Sequence, residues 1–439
     1  MTILPLPDAA SERSAGTGPL VARTVPIPLS LAHDLLAVMP SAPAEHLFSW
    51  VRRGEGFVGW GRVAAVTTTG PDRFVDAEAW WQELVRTARV HDEVGVAGTG
   101  PIAMGSFAYA ADSPAGATLA VPQVVVGRRG EQAWVTTMGV GSAPEVPQLG
   151  ASRPEQPIGV RFADGARSSP EWASVVHEAV ERITAGDLDK VVLARDLEVV
   201  ADSPVDVRWL LARLAERYDT TWVFSVDGLV GATPELLVRL DKGLVHSRVL
   251  AGTIRRTGDD EHDLTLAASL ARSSKDLEEH EYAVRSVADA LRPHCYSMNV
   301  PESPFVLHLT NVMHLATDVA GVLGDRTTSL TLAASLHPSA AVCGTPTERA
   351  EAVIADIEGM DRGRYAGPVG WMDASGDGEW GIALRCGALA PGDGSQLRIF
   401  AGCGIVAGSD PQAEVAESDA KFIPMRDALT APPLPLVRP

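Results

Sequence analysis

Apolar residues gather along the chain in short, β-branched-rich runs separated by Gly/Asp turns. Examples are GFVGWGRVAAVTTT (56–69), QVVVGRR (123–129), QAWVTTMGV (132–140), TWVFSV (221–226) and LRIFAGCGIV (397–406). Runs of this kind predict strands. Helical periodicity interrupts them. The segment 169–186 opens Ser-Pro-Glu, closes at Gly186, and lines Trp172, Val175, Val176, Ala179, Val180 and Ile183 along one face. A longer helical stretch, 262–293, has a break near Ser273 and Ser274 and stops at Pro293, and a further helix is predicted over 346–361. The segment 367–389 reads as a hairpin around the turn ASGDGE. One strand-like run carries a misfit: in AGDLDKVVLARDLEV (185–199), Lys190 stands directly before Val191-Val192-Leu193-Ala194. Its ammonium either reaches water past its neighbours or is held inside for a purpose. On the pattern alone, reaching water is the better reading.

Composition narrows the class. The chain has 439 residues, 46% hydrophobic and 21% charged, which is globular. Length alone predicts two or three domains, with PEVPQLGASRPEQP (144–157) the best linker. Residues 1–20 and the Pro-rich 431–439 read as loose ends. The net charge of −19, with no basic stripe, argues against nucleic acid as a partner. No run approaches membrane-spanning length, no signal-peptide pattern opens the chain, and the four cysteines form no CxxC pair. A cytoplasmic enzyme fits all of this.

Phosphate loops, HExxH, GxSxG and EF-hand motifs are absent from the sequence. The informative residues are carboxylates and the one lysine. Glu235, in GATPELLVRL, reads locally as a helix-first-turn acid. Asp276 and Glu279 are three apart on a helix and border the stripe Ala283, Val287, Ala290. His280, one position off, aligns with Val284, Val287 and Leu291 and reads as a packed, hydrogen-bonded histidine. Glu414 and Glu417 are again three apart, at a helix start. Singly, each acid is best read as solvated surface charge. Together, two i,i+3 acidic pairs can meet around a hard cation such as Mg²⁺.

The order of the pieces is more specific than any of them: KVVLAR (190–195), TPELL (233–237), LAGT (250–253), KDLEEH (275–280), HPSAAVCGTP (337–346), YAGPVGW (365–371), LRCGAL (384–389), AGCGI (401–405) and EVAES (414–418). In this series the chain resembles the chorismate-utilising enzymes, and within them the isochorismate-forming branch, over roughly residues 165–430. The resemblance implies an α/β (α+β) fold of two large, mainly antiparallel sheets packed together with helices outside. It also implies a single catalytic domain over 21–430, which makes 144–157 a surface connection. Lys190 matches the base that activates water for attack at C2 of chorismate, and Glu235 the acid that protonates the departing C4 hydroxyl. Glu279 and Glu417 match direct Mg²⁺ ligands, and Asp276 and Glu414 second acidic positions that act directly or through water. Ala251, Gly252 and Thr253 match a substrate-contacting turn. Tyr365, Arg385, Gly402, Gly404 and Lys421 match positions holding the substrate carboxylates. His314 and Cys343 match residues of the pocket wall.

This chemistry needs such residues. Chorismate is a dianion, and Mg²⁺ on its ring carboxylate is an electron-withdrawing Lewis acid. Arg385 with backbone N–H groups offers forked binding to the other carboxylate. A lysine base needs a lowered pKa, and a glutamic acid a raised one. Amine-forming relatives lack this lysine and need a glutaminase, of which the chain shows no sign, so water is the expected nucleophile. The implied activity is isochorismate synthase, supplying menaquinone, catecholate siderophore or salicylate biosynthesis, as a monomer without a glutaminase subunit. Alternatives are a salicylate synthase, which goes on to eliminate pyruvate, and a binding homologue without turnover.

Overall fold

The structure, a computed structural model, describes residues 18–308 and 312–432, apart from the side chains of Lys275 and Glu279. Among the described residues the strands form one sheet of thirteen and one of ten, and the pairings are antiparallel save that of Leu20–Pro26 with Arg89–Asp92. The continuous apolar runs of the sequence have a simple cause. In Trp222–Val226, Trp222 and Phe224 enter the main core, while Val223 enters a second core beneath the helices Val207–Arg217 and Pro411–Thr430. A sheet covered on both faces loses the alternation of a half-exposed one. Trp371, Trp380 and Phe107 from the smaller sheet share the main core with Phe57 and Leu193 from the larger.

The helices start where their caps allow. Ser168 and Glu171 form a capping box for Ser169–Thr184. The predicted long helix is two, Asp260–Leu270 and Ser274–Leu291, because the Ser273 side chain accepts the Asp276 N–H and restarts it. No helix among the described residues is long and apolar enough to cross a membrane.

Two expectations change. Residues 1–17 and 433–439 lie outside the described residues, but Leu20 is buried and opens the strand Leu20–Pro26, so residue 20 does not belong to a loose end. The 367–389 hairpin is real over Pro368–Asp373 and Gly378–Ile382, yet Cys386–Leu389 leaves it and joins the larger sheet. The 144–157 stretch contains no helix or strand and is tied down by Ser152 N–H to Ala37 O (2.8 Å) and Gln156 Nε2 to Ala431 O (3.1 Å).

Candidate active site

The chain changes sheets twice at one place. Leu229–Thr233 belongs to the larger sheet and Leu236–Asp241 to the smaller, and Pro234-Glu235 is the crossing between them. Gly378–Ile382 belongs to the smaller sheet and Cys386–Leu389 to the larger, and Arg385 lies in that crossing with φ +48°. Both crossings open on a cavity of about 170 Å³. Glu235 is therefore not a helix-first-turn acid, because the Thr-Pro before it ends one strand and Leu236 begins the next.

Lys190 starts the strand Lys190–Val200, is 4% exposed, and lines the cavity with Val192 and Ala194 from the same strand face. Its side chain does not reach bulk water. The neighbouring strand Gln396–Ile405 sets Gly404 opposite Val192 and Gly402 opposite Ala194, and both glycines line the cavity. A Cβ on Gly402 would stand 2.7 Å from Leu193 O and 3.2 Å from Tyr365 Oη.

On the smaller sheet, Leu244–Arg255 bulges between Ala251 and Thr253, with Gly252 at φ +74°. The bulge turns the consecutive residues Ala251, Gly252 and Thr253 to the cavity. Thr253 Oγ1 lies 3.0 Å from Nδ1 of His314, which also lines it. His280, as its pattern predicted, is buried and braces the bulge from behind, with Nδ1 3.3 Å from Ala251 O and Nε2 2.8 Å from Thr317 Oγ1.

Asp276, Glu414 and Glu417 meet at the cavity, as do Tyr365, Arg385 and Lys421. The Glu279 side chain lies outside the described residues. Lys421 Nζ is 2.7 Å from Glu417 Oε1 and donates to Gly402 O at 2.8 Å. Cys403 Sγ lies close to both Glu414 and Glu417. Burial raises the pKa of that thiol, so it stays protonated and is a poor ligand for a hard cation. The carboxylate oxygens of Asp276, Glu414 and Glu417 are the donor type that Mg²⁺ takes, and in this respect the residues fit the ion.

One expected wall residue is displaced. Ala341 and Val342 line the cavity, whereas Cys343 is fully buried behind them, its Sγ 3.6 Å from Thr347 O. Its main-chain carbonyl is committed to Val192 N–H at 2.7 Å, which turns the side chain away. Reading the sequence missed Val192 and Ala194, which strand alternation from Lys190 signals, Leu384, which stands in the LRCGAL motif, and Arg362, for which it holds no signal.

The electrostatics separate the groups. Burial lifts the Glu235 carboxyl to about 8, against the opposing pull of Lys190 and Arg385. Burial, with the charges of Arg385 and Lys421, lowers His314 to about 3 and keeps it neutral. Burial opposes the Glu417 charge, but the charge and hydrogen bond of Lys421, with the charge of Arg385, together hold the carboxylate below its ordinary value. The cavity thus has one protonated acid, one neutral histidine and, at Glu417, an ionised carboxylate beside Lys421.

Residues 8–430 match the family described as chorismate binding enzyme, and the chain belongs to that family. It is 41% identical over 271 residues to the isochorismate synthase DhbC of Bacillus subtilis, covering 59% of this chain and 67% of that one. Two solved structures share the architecture. The putative 2,3-dihydroxybenzoate-specific isochorismate synthase DhbC from Bacillus anthracis superposes with a TM-score of 0.73 at 32% identity, over 89% of this chain and 97% of that one. MenF, the menaquinone-specific isochorismate synthase from Escherichia coli, gives 0.76 at 25% identity, over 94% and 95%.

Proposed function

We propose that this chain is an isochorismate synthase, which adds water at C2 of chorismate and expels the C4 hydroxyl. The observation that carries the reading is the meeting of buried Lys190 and a protonated buried Glu235 in one cavity with three carboxylates. The kinship with isochorismate synthases supports it.

In this reading Lys190 takes a proton from the attacking water as its oxygen bonds to C2. Both ring double bonds shift, C1=C2 to C6=C1 and C5=C6 to C4=C5, the C4–O bond breaks, and Glu235 gives its proton to the departing oxygen, which leaves as water. The two side chains then exchange protons with solvent and reset. Arg385 and Lys421 hold substrate carboxylates, with Tyr365 and the backbone at Gly402 and Gly404 beside them. Thr253 and neutral His314 border the ring. Asp276, Glu414 and Glu417 would hold Mg²⁺, together with Glu279 as the resemblance implies. Once bound, the ion supplies Lewis-acid withdrawal of charge from the ring carboxylate.

Incubation with chorismate and Mg²⁺, followed by product analysis, tests this. Isochorismate without pyruvate is expected. Stoichiometric pyruvate with fluorescent salicylate would make the protein a salicylate synthase instead. Binding of chorismate without turnover, equal in wild type and Lys190→Ala, would make it a binding homologue.

A further inference from the structure

The strand that carries Lys190 has a gap along one edge. That edge pairs with Gly344–Thr345 at residues 190 and 191, and with Arg161–Asp164 from residue 197 onward. Between them, the backbone groups of Val192 and Ala194 face no strand among the described residues. Buried main-chain polar groups need partners, and here most come from side chains. Arg362 Nη2 donates to Val192 O at 2.7 Å, and its Nη1 donates to Val342 O at 2.9 Å. Ala194 N–H donates to Glu358 Oε2 at 2.8 Å, and Trp172 Nε1 donates to Ala194 O at 3.0 Å. Glu358 and Arg362 are joined by two further bonds, of 2.7 and 2.6 Å, and all three side chains are at most 3% exposed.

A buried ion pair is poor evidence for stability, since apolar replacements often do as well. Glu358 also follows the C-terminal residue of the helix Thr347–Ile357, where the dipole disfavours an anion. The pair is better explained by what it holds. It fixes Val192 and Ala194, which share a strand face with Lys190, and ties them to Val342 across the cavity wall.

We infer that Glu358, Arg362 and Trp172 are positioning residues for Lys190, replacing the missing strand and setting where the ammonium enters the cavity. This rests on Lys190 being the base. The planar fork of arginine reaches both carbonyls at once, which a lysine cannot do while still neutralising Glu358.

The test compares wild type, Arg362→Lys, Trp172→Phe and Lys190→Gln. Arg362→Lys is expected to lower kcat by about 10- to 100-fold and to leave KM for chorismate within about twofold. Amide exchange at Val192 and Ala194 should quicken by about tenfold or more. Trp172→Phe, which removes a single bond, should do the same more weakly and serves if Arg362→Lys does not fold. Wild-type kcat and exchange in a folded variant would overturn the inference. So would a lower Tm with kcat per folded molecule unchanged. If Lys190→Gln keeps its turnover, the base assignment fails, while the exchange rates still decide whether the clamp holds the strand.

Discussion

The main-chain N–H of Ile382 donates to the carbonyl of Glu235 at 3.2 Å, so the two places where the chain changes sheets are bonded to each other. The acid and Arg385 are thereby set at one junction, with Lys190 delivered to the same cavity by the larger sheet. Glu235→Gln keeps the size of the side chain and removes its proton. We expect a folded protein whose kcat falls by about 10²- to 10⁴-fold, the ordinary contribution of a general acid. In wild type, kcat/KM should decline as pH rises through about 8, where the free enzyme loses this proton. A Glu235→Gln variant with wild-type turnover excludes the residue as the acid.

The same proton has a thermodynamic consequence. The Glu235 value is raised from 4.5 unfolded to about 8 folded. Its contribution is then fully present below pH 4.5, is lost as pH rises, and is gone above about 8, amounting to on the order of a few kcal/mol. Glu235→Gln has no proton to lose. Its Tm relative to wild type should rise between about pH 5 and 8 and level off above, as measured by thermal unfolding from pH 5 to 9. A constant offset would mean that the carboxyl ionises normally in the fold.

Lys190→Gln should fold normally, still bind chorismate and Mg²⁺, and lose water addition by about 10²-fold or more. Calorimetric binding together with product formation separates these effects. Retained turnover with lowered stability would show that the buried ammonium serves packing alone.

The sequence exposes some of this and hides the rest for identifiable reasons. Strand runs such as 132–140 and 221–226 coincide with strands because apolar patterning is local. The helix break at Ser273 is visible because a cap is a local feature. Glu235 misleads because Thr-Pro-Glu suits a helix start as well as a strand crossing, and only long-range pairing decides between them. Lys190 misleads in the same way, since whether a strand edge meets solvent or a cavity depends on strands 150 residues away or more, such as Gln396–Ile405. Arg362 gives no signal at all, because its partners at 192 and 342 are remote in sequence. Cys343 was expected on the wall from its motif, but a single main-chain bond to Val192 turns it inward.

The carboxylate cluster makes one prediction about binding and one about activity. Glu417 carries a charge held by Lys421 at 2.7 Å, and Asp276 and Glu414 share the cavity. Glu417→Gln removes one anionic oxygen ligand and should weaken Mg²⁺ binding by about tenfold or more, measured by calorimetry without substrate. EDTA should abolish activity and added Mg²⁺ restore it. Full activity in EDTA, with unchanged turnover in Glu417→Gln, would return these acids to ordinary surface charge.

Gly402 is where the larger sheet, Tyr365 and Lys421 converge. Its carbonyl accepts from Lys421 Nζ, and a Cβ there would meet Leu193 O at 2.7 Å and Tyr365 Oη at 3.2 Å. The first contact is with backbone and cannot yield without moving the Lys190 strand, since Leu193 lies three residues along it. The second is with a ring stacked on Phe400 at 5.1 Å, which has little room to retreat. Gly402→Ala should therefore cost about 1–3 kcal/mol in stability, the usual range for overpacking. It should also raise KM for chorismate, because Tyr365 and Lys421 border the substrate carboxylates in the proposed reading. Thermal unfolding and steady-state kinetics on one preparation check both parts. An alanine variant with unchanged Tm and KM would mean that the two strands can part here without disturbing the cavity.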